Sequence, residues 1–381
     1  MSPHPRRAVQ SPSKARLTRV RTGTGQQGRT SGKNRFRGAD QDEPVKTQPR
    51  PRHDLAPARA VRSPAGESRQ DTLQAPLHHY FRWLEDTFSR AEPRRHAYRY
   101  VCWLLSRPVP PGGEDGRNRL LTTAGWDEDL ARDRIRDLVV AHLGSPDASL
   151  VIAEDAFVKK GSNSAGVSRQ YCAASGRVDN CQIGVFLLYR DPTGDTLAID
   201  RELLVPPRWA DDPAARRCAG IPDTRHRFTR EAAALAMIGR ALDSGTPARW
   251  VVADAPHYGD SAAFRAALER QRVPYVLASS ADGPLVRRQT TPGGYVRWQF
   301  ARRETGSYLC YAPTGTDPSE LAAEASLGPS VRAHLASARK EAGLDRYSVR
   351  KWRAWYRHMT LALFAQAVLR LTAGPTTLLP S

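Results

Sequence analysis

The sequence predicts a mixed α/β fold in which a β-sheet is flanked by helices. Two observations predict it. Apolar residues recur at helical spacing from about residue 76 to residue 147, and short apolar runs typical of buried strands replace them after that point. These runs then alternate with further helical stretches, an order in which helices pack on the faces of a sheet. Of the 381 residues, 40% are apolar, which is enough for a sizeable core.

Residues 1–72 are predicted to be a disordered basic tail. Residues 1–70 carry 16 Lys and Arg but only 5 Asp and Glu, which gives +11 of the net charge of +19. They are rich in Pro, Gly, Ser, Gln and Arg, and such a segment cannot bury enough surface to offset the entropy of ordering. A tail of this kind favours contact with nucleic-acid phosphates. The alternative is a solvated tail without a specific partner, or a misassigned start codon.

The next segment, residues 73–147, is predicted to be a helical domain that binds DNA. One helical region spans about 76–105, and the turn-forming segment 108–113 ends it. A second helix is expected from about Asp127 to His142, with its N-cap in the turn at 125–127. The apolar spacing by itself indicates only that the helices pack, so DNA binding is the more specific of two interpretations.

Residues 148–372 are predicted to be the core domain, with a strand insertion at about 280–313 and a C-terminal tail at 373–381. The turn Asp191–Asp195 joins two strands into an antiparallel hairpin, and a helix, a strand, a helix and a strand follow it. This order best fits an RNase H-like mixed sheet. The first predicted strand starts at 150–152 and ends near Glu154 and Asp155, and the other predicted strands are 181–190, 197–205, 250–253, 275–278, 295–300 and 308–311. The predicted helices are 230–242, 261–271, about 319–342 with an interruption near Pro329, and 352–371.

Several classes of protein are not expected from this sequence. No run of about 18 apolar residues could span a membrane, and no apolar stretch of a secretory signal follows the basic N-terminus. The five cysteines form no C-x-x-C pair, so neither a zinc ribbon nor a disulfide scaffold is expected, and a reducing cytoplasm is the simplest location. The sequence contains no P-loop, G-x-S-x-G or H-E-x-x-H motif.

Three acidic residues are candidates for a catalytic metal site. Asp254 comes directly after the apolar strand 250–253, and Glu154 and Asp155 lie at the end of the strand that begins at residue 150. Ligands of open α/β sheets bind at the carboxyl ends of strands, and carboxylates there suit Mg²⁺ or Mn²⁺ in phosphoryl transfer. The alternative is that each acid only caps a helix or a turn, which is the commoner role of a strand-end Asp.

Two basic segments are candidates for DNA contact. Lys159 and Lys160 follow the first acidic pair and could hold the scissile backbone, although two lysines in a loop are usually only solvated charges. The segment 350–358 interleaves basic and aromatic side chains, a mixture that suits phosphate contact and base stacking. Its basic candidates are Arg350, Lys351, Arg353 and Arg357. The alternative is an amphipathic helix whose aromatic residues pack the core while its arginine face stays available for phosphate.

Several motifs together resemble the DDE insertion-sequence transposases, a DDE endonuclease branch of the RNase H-like superfamily. The resemblance covers about residues 78–371 and excludes the basic tail. The motifs that carry it are VIAEDAFVKKG (151–161), VSRQY (167–171), GRVDNCQIGVFLLY (176–189), IDRELLVP (199–206), WADD (209–212), ADAPHYGD (253–260) and GLDRYSVRKWRAWYRHMTLALFA (343–365).

The resemblance implies DNA transposition by Mg²⁺-dependent phosphodiester cleavage and strand transfer. It implies DNA as the partner, with Lys159, Lys160 and Arg169 in motifs that contact it, and neither a membrane nor a small-molecule substrate. A homodimer is a candidate assembly. The implied location is the cytoplasm of a bacterium, in association with the nucleoid.

The sequence departs from the family pattern at the acidic positions. An ungapped alignment places Glu154 where the family has its first metal ligand and displaces Asp155 by one residue, whereas Asp254 matches its position. The third acidic position falls on Arg332, and a guanidinium group cannot ligate Mg²⁺. Glu324 and Glu341 lie on or near the same helix, but about two turns or more away. Two functions stay open: an active transposase that uses Asp155 or Glu154, Asp254 and a relocated Glu, and a domesticated, catalytically inactive DNA-binding protein. The incomplete triad favours the second, and a decayed copy without a role is a weaker third alternative.

Overall fold

The computed structural model of the chain describes residues 69–106, 114–172, 175–225, 228–281, 286–302 and 306–374. The predicted basic tail lies almost wholly outside these residues, as do the segment 108–113 and most of the predicted C-terminal tail. No helix within the described ranges is long and apolar enough to cross a membrane.

Four α-helices precede the sheet: α1 (Arg69–Phe81), α2 (Ala91–Leu105), α3 (Glu114–Thr122) and α4 (Glu128–Leu143). The region predicted as helical over 76–105 is divided, because a 3-10 helix at Arg82–Thr87 separates α1 from α2. The Asp127 carboxylate accepts the N–H groups of Asp129 and Leu130 at 2.9 Å. Asp127 is therefore the N-cap of α4, as the sequence predicts.

The C-terminal helix α12 (Trp352–Ala373) is the element on which the four N-terminal helices pack. It is buried nearly all round, which is typical of a central helix rather than a surface helix. Its Phe364 ring meets Phe81 of α1 edge to face, with ring centroids 5.9 Å apart. The aromatic residues of its first turns are buried, so the predicted alternative, in which they pack the core, is confirmed.

Nine strands of the described chain form one mixed sheet. β1, β3 and β4 are antiparallel neighbours, and β5 and β6 run parallel to β1 on its other side. The resulting order β4-β3-β1-β5-β6 is that of an RNase H-like sheet, which confirms the predicted fold. The strands are β1 (Ser149–Val158), β2 (Ser168–Cys172), β3 (Arg177–Arg190), β4 (Thr196–Leu203), β5 (Trp250–Ala253), β6 (Tyr275–Ser279), β7 (Val286–Thr291), β8 (Tyr295–Arg302) and β9 (Gly306–Pro313).

Strand β1 is longer than predicted, and this changes the position of two candidate acids. Its pairing with β3 continues past Ile152 through the pairs Glu154–Val185 and Asp155–Gly184. Glu154 and Asp155 therefore lie inside a strand, and the expectation that they lie at a strand end is wrong. β2 and β7 were not predicted. β9, β8 and β7 extend the sheet beyond β6 as an antiparallel meander.

Helices cover the sheet between and after the strands. They are α5 (Pro207–Ala210), α6 (Pro213–Ala219), α7 (Arg230–Asp243), α8 (Pro256–Asp260), α9 (Ala262–Arg270), α10 (Pro318–Glu324) and α11 (Gly328–Ala342). Pro329 lies in the first turn of α11, where its missing N–H costs no intrahelical hydrogen bond. The predicted interruption near Pro329 is thus the start of a separate helix.

Candidate active site

Asp254 and Asp155 both face helix α11. Asp254 directly follows β5, which runs parallel to β1 with Ala253 opposite Ile152. Arg332 of α11 donates a hydrogen bond to the Asp254 carboxylate, and Arg339 of the same helix donates to the Asp155 carboxylate. The two acids predicted from separate strands therefore meet one helix.

The Asp254 carboxylate lies directly against Gly328, at the start of α11. A Cβ atom built on Gly328 would overlap the carboxylate, so any other residue at this position would require the Asp254 side chain to move. The Asp254–Arg332 ion pair is on the outside of the molecule, because 66% of the Arg332 side chain is exposed. Gly328 therefore positions this helix end against the acid, and Arg332 neutralises the acid from the solvent side.

The Asp155–Arg339 pair is more deeply buried. Arg339 Nε donates to Asp155 Oδ2 at 2.7 Å, and its Nη2 group donates both to Asp155 Oδ1 and to the Ala156 carbonyl oxygen. Only 13% of the Asp155 side chain and 23% of the Arg339 side chain are exposed. Burial raises the pKa of Asp155, and the hydrogen bond and the charge of Arg339 oppose this rise. The two-pronged contact fixes the orientation of the carboxylate.

Glu154 points away from these two acids, because successive strand residues face opposite sides of a sheet. Its carboxylate accepts hydrogen bonds from His257 Nε2 at 2.8 Å, the Tyr258 hydroxyl at 2.9 Å and Arg230 Nε at 3.0 Å. Burial works to raise the pKa of Glu154, but the hydrogen bond from His257 and the charge of Arg230 outweigh it and hold the pKa below its ordinary value. Asp155, not Glu154, is thus the acid that shares a side of the sheet with Asp254.

Glu154, Asp155 and Asp254 nevertheless line one cleft of about 340 Å³. Helix α11 brings Arg332 into this cleft, at the position where the family resemblance places an acid. The two acids on or near the same helix, Glu324 and Glu341, have other partners. Glu324 accepts a hydrogen bond from Ser149, the first residue of β1, and Glu341 accepts one from Ser337 of α11.

The donor set of the cleft does not fit a divalent cation. Each of the two carboxylates that share a face already has a guanidinium group as its partner, and these groups carry positive charge and offer no lone pair to a metal. Within the described residues, no group of three or more His, Cys, Asp or Glu side chains could hold a metal ion. No chemical step through Mg²⁺ or Mn²⁺ follows from this geometry.

The two lysines that follow β1, Lys159 and Lys160, differ in exposure. Lys159 Nζ lies 3.4 Å from the ring centroid of Tyr347, and burial lowers the pKa of Lys159 to about 8. Lys160 is exposed. Arg169 is exposed on β2.

The four basic candidates of the segment 350–358 differ in burial. Arg350, Lys351 and Arg353 are exposed, and Arg353 pairs with Glu128 of α4. Arg357 is fully buried and donates to Glu128 and to the carbonyl oxygen of Trp126. The expectation that Arg357 faces DNA is therefore wrong for the folded chain, because its guanidinium group holds α4 and the preceding turn against α12.

Sequence reasoning missed four residues of this site: Arg230, His257, Tyr258 and Arg339. His257 and Tyr258 lie within the motif ADAPHYGD, but nothing in the motif shows that they reach a different strand. Arg339 had a detectable signal. Residues 332 and 339 are two helical turns apart, so a helix over this segment carries both arginines on one face.

A family model and a solved structure are similar to this chain. The family model described as DDE superfamily endonuclease matches residues 93–340. Among solved structures, the chain is similar to the piggyBac transposase in its synaptic complex with hairpin DNA, with 10% sequence identity over 80% of this chain and a TM-score of 0.33. The chain spans 65% of the length of that transposase. No curated protein gave a significant match.

Proposed function

Because this chain belongs to the DDE superfamily endonuclease family, we propose that it is a transposase-like protein that binds DNA and does not cleave it with divalent cations. The observation that carries the proposal is the pairing of Asp155 with Arg339 and of Asp254 with Arg332. Metal-dependent cleavage needs carboxylates that are free to coordinate cations. In this cleft the arginines neutralise them instead.

A divalent cation would not easily displace Arg339 from Asp155. A cation that approached Asp155 would meet the charge of Arg339 in a mostly buried setting, where like charges repel more strongly than they do in water. To admit the cation, the Arg339 side chain would also have to give up its hydrogen bond to Ala156. The domesticated, inactive alternative predicted from the sequence is therefore the one that this geometry supports.

The charge of the chain supports DNA as the partner. The net charge is +19, and Lys160, Arg169 and Arg350 are exposed basic residues of the motifs that resemble the family. Arginine-rich surfaces bind phosphates without regard to base sequence, and salt weakens that binding steeply. The ends of an insertion sequence are the DNA that we expect to be bound.

One observation favours a second candidate, metal-dependent strand cleavage. The Arg332 side chain is 66% exposed, and exposed ion pairs contribute little, so Arg332 can leave Asp254 at small cost. This second function still requires Arg339 to release Asp155.

The test is strand cleavage of labelled DNA taken from the flanks of the gene, with Mg²⁺ or Mn²⁺, beside binding of the same DNA in a chelator. We expect wild type to bind in both conditions and to leave the strands intact. Cleavage that is lost in Asp254→Ala would establish the second candidate, and a protein that fails to bind DNA would contradict both.

A double variant provides the matched control. We expect Arg332→Glu combined with Arg339→Gln to bind Mn²⁺ in calorimetry where wild type does not, because it adds an acid and removes both guanidinium groups. Equal Mn²⁺ binding by wild type would show that the arginines do not exclude cations.

The assembly and location form part of the same proposal. We propose a homodimer that lies in the bacterial cytoplasm in association with the nucleoid. Light scattering of the purified chain, with and without DNA, tests the assembly, and cell fractionation tests the location.

A further inference from the structure

The large apolar side chains that are most exposed among the described residues lie at one end of the sheet. Tyr171 is 64% exposed, Val178 57% and Val158 53%. They belong to the neighbouring strands β2, β3 and β1. The segment 158–181 runs from the last residue of β1, through β2, to the first residues of β3. We call this segment the β-ribbon. Contiguous exposed apolar surface on a folded protein marks an interaction site more often than isolated exposed residues do.

The pairing of the strands divides these side chains between two faces. Tyr171 lies opposite Val178, and Arg169 lies opposite Asn180. Since side chains alternate along a strand and paired residues share a face, Arg169, Tyr171 and Val178 form one surface. We call it the Tyr171 face. Val158 pairs with Cys181 and therefore lies on the opposite face.

The charge around the Tyr171 face fits a polyanion. Within the β-ribbon the basic residues are Lys159, Lys160, Arg169 and Arg177, whereas the only acidic residue is Asp179, which Arg177 contacts. The guanidinium group of Arg169 makes no hydrogen bond or ion pair to any residue in the described part of the chain. An exposed aromatic ring beside a free guanidinium group suits a nucleic-acid strand, because a base can stack on the ring while a phosphate accepts from the arginine.

The Tyr171 face also lies next to the acidic cleft. Tyr171 lines the cleft together with Asp155 and Asp254. A DNA strand that contacts Tyr171 therefore lies beside this cleft.

We propose that Tyr171 stacks on an unpaired base of DNA bound across this cleft, with Arg169 on an adjacent phosphate. The inference rests on the proposed DNA binding and goes beyond it by naming the kind of DNA. The bases within an intact duplex stack on one another, whereas an unpaired base can turn out of the stack and offer a free ring face. The protein therefore prefers DNA with an unpaired base to fully paired DNA.

The experiment compares two fluorescent probes that differ in one nucleotide: a paired duplex, and the same duplex with one unpaired 2-aminopurine. We expect Tyr171→Ala to weaken binding of the second probe at least about fivefold and to leave binding of the first nearly unchanged. Quenching of the 2-aminopurine should be lost in Tyr171→Ala and kept in Tyr171→Phe, because the ring alone stacks.

The matched control is Val158→Ala, which removes similarly exposed apolar surface from the opposite face. It should bind both probes as wild type does. The inference is overturned if Tyr171→Ala binds both probes like wild type, if Val158→Ala weakens binding equally, or if Tyr171→Ala changes only the oligomeric state. Wild type that binds paired DNA without preferring the unpaired base overturns this inference alone, whereas wild type that binds neither probe overturns the proposed function as well.

Discussion

Glu154 and Asp155 are neighbours in the chain whose carboxylates meet opposite surroundings. Asp155 shares helix α11 with Asp254, while Glu154 is held by Arg230, His257 and Tyr258. The sequence shows that the two side chains lie on opposite faces of their strand, because strand residues alternate. It does not show which one faces Asp254. Which acid shares a side of the sheet with Asp254 depends on the helices that pack on each face. Those helices lie far away in the sequence, so the local sequence does not reveal it.

At the residue scale, the two arginines of α11 should differ in their effect on stability. We expect Arg339→Gln to lower the free energy of unfolding by about 2 kcal/mol, because it leaves the mostly buried Asp155 carboxylate without its cation. Arg332→Gln should change it by less than about 0.5 kcal/mol, because that pair is exposed to water. Urea unfolding measures both variants. Similar losses for the two would contradict the difference in burial.

At the element scale, the missed strands share a physical cause. β2 reads SRQYC and β7 reads VRRQTT, and neither contains the apolar run by which buried strands are detected. The predicted β1 ends too early for a similar reason, since the sequence predicts its end at the charged pair Glu154 and Asp155, whereas the strand continues to Val158. Strand pairing with β3 overrides this local polarity. Elements with a strong apolar period, such as α7 and β5, matched the prediction closely.

The motif IDREL, which helped to carry the family resemblance, has a structural role in β4. Arg201 is fully buried and bonds to Asp129 of α4 and Thr360 of α12. Glu202 accepts hydrogen bonds from Arg240 of α7 and from Tyr356 of α12. These buried charges join three helices to one strand.

Helix α12 is tied to α2 by a buried histidine, and this predicts acid sensitivity. His358 Nε2 donates to the Leu344 carbonyl oxygen at 3.1 Å, because a carbonyl oxygen can only accept, and in the neutral ring Nδ1 accepts from the Tyr100 hydroxyl at 2.8 Å. Burial lowers the pKa of His358 from its ordinary value of 6.5 to about 3. Below pH 6.5 the His358 ring is protonated in the unfolded chain, whereas in the folded chain it stays neutral until the pH approaches 3. The contribution of His358 to stability is therefore lost as the pH falls from 6.5 towards 3.

The measurement is urea unfolding of wild type and His358→Gln at about pH 7 and about pH 4.5, on either side of the ordinary pKa of histidine. We expect the variant to lose less stability than wild type over this interval, because it removes the titrating ring. His78→Gln, at an exposed position of α1, should keep the pH dependence of wild type. An unchanged pH dependence in His358→Gln would contradict the assignment of a buried neutral ring.

At the scale of the whole molecule, the strand order was predictable and the width of the sheet was not. A hairpin followed by alternating helices and strands leaves few alternatives for five strands. The extension by β7, β8 and β9 depends on antiparallel pairing at the free edge of β6, for which local residue patterns give little signal.

The distribution of charge predicts two separable parts of DNA binding. Residues 1–70 hold +11 of the net charge of +19. We expect removal of residues 1–68 to reduce the slope of log affinity against log salt by about 0.9 for each phosphate that the tail neutralises. The preference for an unpaired base should persist, because the truncated chain keeps Tyr171 and the sheet that holds it. Titrations of both probes at three salt concentrations measure this. A truncated chain that keeps the full slope would contradict a role for the tail.

The two arginines of α11 give the cleft a counter-charge that is covalently part of the chain. In a nuclease whose acidic residues bind dissolved cations, removal of the cations changes the charge of the site. The affinity of such a nuclease for the phosphate backbone changes as a result. Here the neutralising groups cannot diffuse away. The affinity of this protein for DNA should therefore not depend on Mg²⁺ binding in the cleft. It should depend on the ionic strength of the solution, which screens the charges on its surface.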